Sequence, residues 1–221
     1  MTGMRGHMCR TVLALLSILA TTSVVVPGLV QAPPVPADLD TRVRRFLDQQ
    51  HWHDLNVPEA DGRALHEIVL KNGYRQALEI GTSTGHSGIW VAWALAKTGG
   101  RLVTIEIDPG RHQQAVKNFK AAGLDAVIDA RLGDAHDLVP RLAGPFDFVF
   151  IDADKDWYTN YAKAVLPNLR VGGCLTAHNV YPGRGRWSMT GDFYDYLTAL
   201  PFLETSVTRG GLSVSYKRRE R

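Results

Sequence analysis

The chain has 221 residues, a formal charge of +3 and 45% hydrophobic residues, the proportions of one globular α/β domain with a small extra piece. These values exclude disordered and fibrous classes, and 25 basic against 22 acidic residues, without a basic stripe, argue against nucleic acid as a partner. The only basic cluster, Lys217-Arg-Arg-Glu-Arg221, reads as a frayed, solvated tail.

At the N-terminus Arg5 and Arg10 precede an apolar run over residues 11–26, followed by Pro27, Gly28 and the small-residue site Val30-Gln31-Ala32. This pattern predicts a secretory signal over residues 1–32, and hence export to the periplasm or beyond the cell. A retained membrane anchor is the competing reading, since residues 11–30 approach the length of a short span. Arg42, Arg44 and Arg45 offset Arg5 and Arg10, so the positive-inside rule does not choose between them. Cleavage would leave Cys174 as the single cysteine, in a buried-strand pattern that makes it a small core residue. Residues 33–55 read as a proline-rich linker and a first helix, and residues 56–221 as the main domain.

Val43, Phe46 and Leu47 predict a short amphipathic helix; Pro58 opens a second through Leu65, Ile68, Val69 and Leu70, which Asn72-Gly73 stops. Both are expected to cover the ligand edge of a sheet. Apolar strands are predicted at 77–80, 102–105, 126–132, 146–151 and 174–177. Helices fall between them at Trp90, Val91, Ala94 and Leu95, at Ala115, Val116 and Phe119, and at Tyr158, Tyr161, Ala162 and Val165. Strands alternating with helices mean a doubly wound, mostly parallel sheet. Residues 203–207 and 212–216 switch to period two around Gly210-Gly211 and predict an antiparallel hairpin that completes a seven-stranded Rossmann-like sheet.

The stretch that organises these elements is Gln76-Ala-Leu-Glu-Ile-Gly-Thr-Ser-Thr-Gly-His-Ser-Gly88, a strand, a glycine turn and a helix start. Its glycines do not follow G-x-G-x-x-G, and Glu79 stands two residues before the first of them. A carboxylate there repels a pyrophosphate and attracts a cation, which suits S-adenosylmethionine (SAM) better than NAD. A glycine turn with no ligand is the alternative. Glu106, at the end of the second strand, is placed to accept ribose hydroxyls, and Asp134 and Ala135 follow the third strand beside the adenine, with a helix N-cap as the other role for Asp134. The next two strand ends deliver Asp152, Asp154 and Lys155, and then His178 and Asn179. Asp152, His178 and Asn179 could converge on a divalent ion.

On Leu78-Glu-Ile-Gly-Thr-Ser-Thr-Gly-His-Ser87, Thr104-Ile-Glu-Ile-Asp-Pro109, Phe146-Asp-Phe-Val-Phe-Ile-Asp-Ala-Asp-Lys155 and Ala177-His-Asn-Val180, the chain resembles the cation-dependent class I O-methyltransferases typified by catechol and caffeoyl-CoA O-methyltransferases. The resemblance covers residues 56–216. It implies that Val57, Glu79, Gly81, Ser83 and Ser87 line the methionine end of SAM, that Asp152 also borders the cofactor, and that Glu106 holds the ribose. It implies further that Asp152 and Asn179 are metal ligands for Mg²⁺ or Mn²⁺ and that Lys155 is the catalytic base. His178 stands where those enzymes usually place a second metal-binding aspartate. Three readings follow for it: a ligand to an altered metal, a base without a metal, or a hydrogen-bonding residue.

The activity so implied is in-line displacement of the sulfonium methyl by a hydroxyl of a small, catechol-like acceptor. Trp52, Trp157, Tyr181 and Trp187 are candidate aromatic walls, and residues 183–187, with Arg184 and Arg186, a candidate lid. A homodimer is a further expectation. Two alternatives remain beside the enzyme: an exported or tethered SAM-binding protein without turnover, and an NAD-dependent oxidoreductase.

Overall fold

The computed structural model describes residues 37–52, 55–183 and 189–220. Seven strands form one sheet in the order β3-β2-β1-β4-β5-β7-β6, with β1 (Gln76–Ile80), β2 (Arg101–Glu106), β3 (Ile128–Leu132), β4 (Phe146–Ile151), β5 (Leu169–Ala177), β6 (Leu203–Val207) and β7 (Ser213–Lys217). The first five run parallel, and β7 pairs antiparallel with both β5 and β6. This is the doubly wound sheet with a terminal hairpin that the alternating pattern predicts.

The central strands are apolar throughout because both faces are covered. In β4, Phe148 and Phe150 enter the core on one face while Val149 and Ile151 enter the core on the other. The first face is covered by α1 (Leu39–Gln49), α2 (Glu59–Asn72), α3 (His86–Thr98) and α4 (Pro109–Ala122), and the second by α6 (Tyr158–Val165) and α7 (Gly191–Thr198). The same alternation in β1 sends Leu78 and Ile80 to the second core and turns Glu79 toward α3.

Several expectations need correction. Only α2 reaches the ligand edge, through its first turn; α1 lies against α3 and α4, where Arg42 donates to the carbonyls of Lys120 and Ala121 at the end of α4. Val116 is exposed rather than packed. β3 starts at Ile128, after a short 3₁₀ turn over Asp125–Val127, and β5 starts five residues earlier than its apolar core suggests. The helix α7 is absent from the sequence reading. The start of the basic tail is not frayed: Lys217 is buried in β7, donating to Leu169 O at 2.8 Å and pairing with Glu220, and Arg218 pairs with Glu204. Cys174 is buried, and burial pushes its thiol up to about 12, so it is inert.

Candidate functional site

A cleft of about 620 Å³ opens where the parallel strands end. Gly81, Ser83, Glu106, Asp134, Ala135, Asp152, Lys155, His178 and Asn179 all line it, so five strand ends deliver nine of the expected site residues to one place. Val57, Glu79 and Ser87 do not line it; all three stand buried behind its wall. The Val57 side chain belongs to the core, and its carbonyl meets His86 Nδ1 at 2.9 Å, which ties the loop before α2 to α3.

The turn after β1 is tight for a physical reason. Gly81 has φ of 95°, and a Cβ there would stand 2.4 Å from Asp152 O, so only glycine lets β1 and β4 end side by side. Ser83 and Asn179 are the non-glycine residues with positive φ among the described residues, at 49° and 56°, and both line the cleft. Backbone strain collects at functional sites in this way.

Glu106 is fixed by that turn. Its Oε2 accepts from Ser83 N at 2.7 Å and its Oε1 from Asp108 N at 3.0 Å, which leaves further lone pairs on both oxygens for a ligand. Asp134 caps the short helix α5 (Ala135–Leu138), accepting from His136 N at 2.8 Å, so the N-cap role is real while the residue still faces the cleft.

Glu79 lies under the N-terminal turn of α3, fully buried. Its Oε2 accepts from Thr104 Oγ1 at 2.6 Å, and a Cβ on Gly88 would sit 2.9 Å from that oxygen, which explains a glycine inside the helix. Burial pushes the carboxyl up to about 7, against the lowering pull of hydrogen bonds from Ser87 and Thr104. Glu79 Oε1 and Ser83 Oγ are buried polar atoms with no protein partner. A polar, cationic ligand head at this turn fits that unmet demand.

The ends of β4 and β5 build a chain of charges. Lys155 Nζ donates to Asp152 Oδ1 at 2.7 Å and to Tyr158 OH at 2.7 Å, and Tyr158 OH donates to His178 O at 3.1 Å. His178 Nδ1 stands 3.2 Å from Asp152 Oδ2, and His178 Nε2 stands 3.1 Å from Asp61 Oδ2 in the first turn of α2. Burial opposes the charge on Asp152, but the His178 hydrogen bond and the Lys155 ammonium outweigh it and hold the carboxyl below the usual range.

Two of the expected metal ligands, Asp152 and His178, already hold other groups. Asp152 gives one oxygen to Lys155 and the other to His178, and both His178 nitrogens face carboxylates. Among the described residues no three His, Cys, Asp or Glu side chains are grouped to hold a metal. As arranged, Asp152 and His178 do not fit a divalent cation, because binding one through the imidazole would first break its contacts with both carboxylates.

Asp61 and Tyr158 are the members of this network that the sequence reading missed. An acid in a first helical turn reads as a partner for the helix dipole, and Tyr158 reads as core from its spacing. The aromatic walls fare worse. Trp52 stacks on His86 with ring centroids 4.4 Å apart, Trp157 stacks on His136 at 3.8 Å, and Tyr181 is an exposed ring beside Gly210; none of the three lines the cleft. Trp187, Arg184 and Arg186 lie outside the described residues.

Comparison with known proteins agrees with this geometry. Residues 37–185 match the family model described as O-methyltransferase. The chain is 42% identical over 130 residues to a catechol O-methyltransferase of Niastella koreensis, a match covering 57% of this chain and 58% of that protein. It is 41% identical over 112 residues to a catechol O-methyltransferase of Mycobacterium tuberculosis, covering 50% of each. The matches thus span between half and three fifths of these curated relatives. Among solved structures, the Bacillus cereus O-methyltransferase in complex with SAH superposes with a TM-score of 0.67 at 28% identity, over 81% of this chain and 90% of that one. The Streptomyces achromogenes O-methyltransferase of tomaymycin synthesis, in complex with SAM, superposes with a TM-score of 0.66 at 28% identity, over 83% and 90%. By sequence, sheet order and the placing of its strand-end residues, the chain belongs to the O-methyltransferase family.

Proposed function

We propose that this protein transfers a methyl group from SAM to a hydroxyl of a small, catechol-like acceptor. The observation that carries this reading is the anchored Glu106 carboxylate sharing one cleft with Lys155. Glu106 would accept the ribose hydroxyls, Gly81 and Ser83 would line the methionine end, and Asp134 and Ala135 would border the adenine. Glu79 and Ser87 would act from behind that wall, as a buried carboxyl and its hydrogen-bond donor. Bound SAM supplies an activated methyl group, so the protein's work is alignment and proton removal. Lys155 would take the proton from the acceptor hydroxyl, while Asp152 and Tyr158 fix where Nζ stands.

The catechol-like acceptor is supported by the names of the Niastella koreensis and Mycobacterium tuberculosis relatives. Incubation of the full chain with SAM and a panel of catechols and phenols tests the reading. Formation of SAH with a methylated phenol supports it; SAM binding with no transfer to any panel member contradicts the acceptor class.

Residues 1–32 are taken as an export signal, residues 33–55 as the linker with the first helix, and residues 56–221 as the methyltransferase domain. N-terminal sequencing of the protein recovered from cells tests this: a mature start at residue 33 supports export. Size-exclusion chromatography with light scattering tests the homodimer.

A further inference from the structure

The Asp61, His178, Asp152 and Lys155 side chains form one line of alternating charge-bearing groups, each between 11% and 19% exposed. Both ring nitrogens of His178 already have a partner, Nδ1 facing Asp152 Oδ2 at 3.2 Å and Nε2 facing Asp61 Oδ2 at 3.1 Å, so neither is open to a further one. A metal binding through His178 and Asp152 must break the His178 contacts to both carboxylates and displace the Lys155 contact.

Asp61 is held for this purpose by the packing of α2. A Cβ on the next residue, Gly62, would overlap the Trp90 ring at 2.2 Å, so α2 sits against α3 at its closest approach. That approach puts the first turn of α2 over the end of β5. We propose that His178, clamped between Asp61 and Asp152, occupies the place of a divalent cation in this cleft, and that Asp61 is the positioning residue that keeps it there. The methyl transfer of this chain then needs no metal. The inference rests on the methyltransferase reading of the site and adds to it a residue from outside the strand ends.

The test uses the full chain, Mn²⁺ as the probe followed by electron paramagnetic resonance, and SAM titration of each variant as a check on folding. Wild type is expected to leave the free Mn²⁺ signal undiminished with or without SAM, and its methyl transfer is expected to survive EDTA. His178→Asp, which restores a carboxylate, is expected to take up Mn²⁺. Asp61→Asn is expected to lower kcat by roughly tenfold to a hundredfold at unchanged SAM affinity. Stoichiometric Mn²⁺ uptake by wild type, or activity lost to EDTA and restored by Mn²⁺, overturns the proposal. So does a His178→Asp variant that binds SAM but no Mn²⁺, or Asp61→Asn with wild-type kcat. A chain that binds no SAM defeats the methyltransferase reading instead, and the wild-type Mn²⁺ signal still decides the question of the cation.

Discussion

Glu79→Gln separates the cost of a buried carboxyl from its use. Burial lifts Glu79 from an ordinary 4.5 to about 7. The folded chain therefore holds this proton more tightly than the unfolded chain does. The resulting stabilisation is fully present below about pH 4.5 and is lost as pH rises through about 7. At roughly 1.4 kcal/mol per pH unit, wild type gives up about 3 kcal/mol across that window. Glutamine keeps the shape, still accepts from Thr104 Oγ1 and has no proton to lose. The variant's stability should therefore gain about 3 kcal/mol on wild type between pH 4.5 and 7.5, or ~6–12 °C in melting temperature for a domain of this size. Thermal unfolding of both proteins at pH 5, 6, 7 and 8 measures the divergence, and other titrating groups cancel in the comparison. Saturating SAM should narrow it, because a cation at the turn favours the ionised carboxylate. Melting curves that keep the same separation at every pH would refute the reasoning, since they would mean that Glu79 titrates alike in the folded and unfolded chains.

Three further outcomes are expected. Glu106→Ala removes the acceptor for Ser83 N and Asp108 N and should weaken SAM binding by roughly tenfold to a hundredfold, read by calorimetry. Lys155→Ala should lower kcat by roughly 10²–10⁴ while SAM affinity stays close to wild type, and full activity would remove Lys155 from the chemistry. Gly62→Ala drives a methyl group into the Trp90 ring and should cost about 1–3 kcal/mol in urea unfolding, with a fall in kcat as Asp61 is pushed from His178.

The parts of this protein that sequence reasoning reaches are those encoded by local periodicity. β1, the glycine turn and α3 announce themselves within thirteen residues, and Glu106 follows because an acid ends the neighbouring apolar strand. The hairpin is legible from its period-two pattern alone. The parts that escape depend on contacts between distant segments. Asp61 lies 117 positions before His178 in sequence and meets it only because α2 docks on α3 at Gly62. Lys217 reads as tail because its charge suggests solvent, yet the carbonyl of Leu169 and the carboxylate of Glu220 satisfy it inside. α7 escapes because Gly-Asp-Phe-Tyr-Asp-Tyr-Leu-Thr has no side-chain cap and mixes aromatics with acids, so that packing of Phe193 and Leu197 rather than propensity makes the helix.

The central claim is that the cleft between Glu106 and Lys155 is a SAM site. Calorimetric titration of the full chain with SAM, beside Glu106→Ala and Lys155→Ala, tests it most directly. Saturable one-to-one binding by wild type, weakened in Glu106→Ala and preserved in Lys155→Ala, is the result this account predicts. No binding by a folded wild-type chain, or equal affinity in all three proteins, would contradict it.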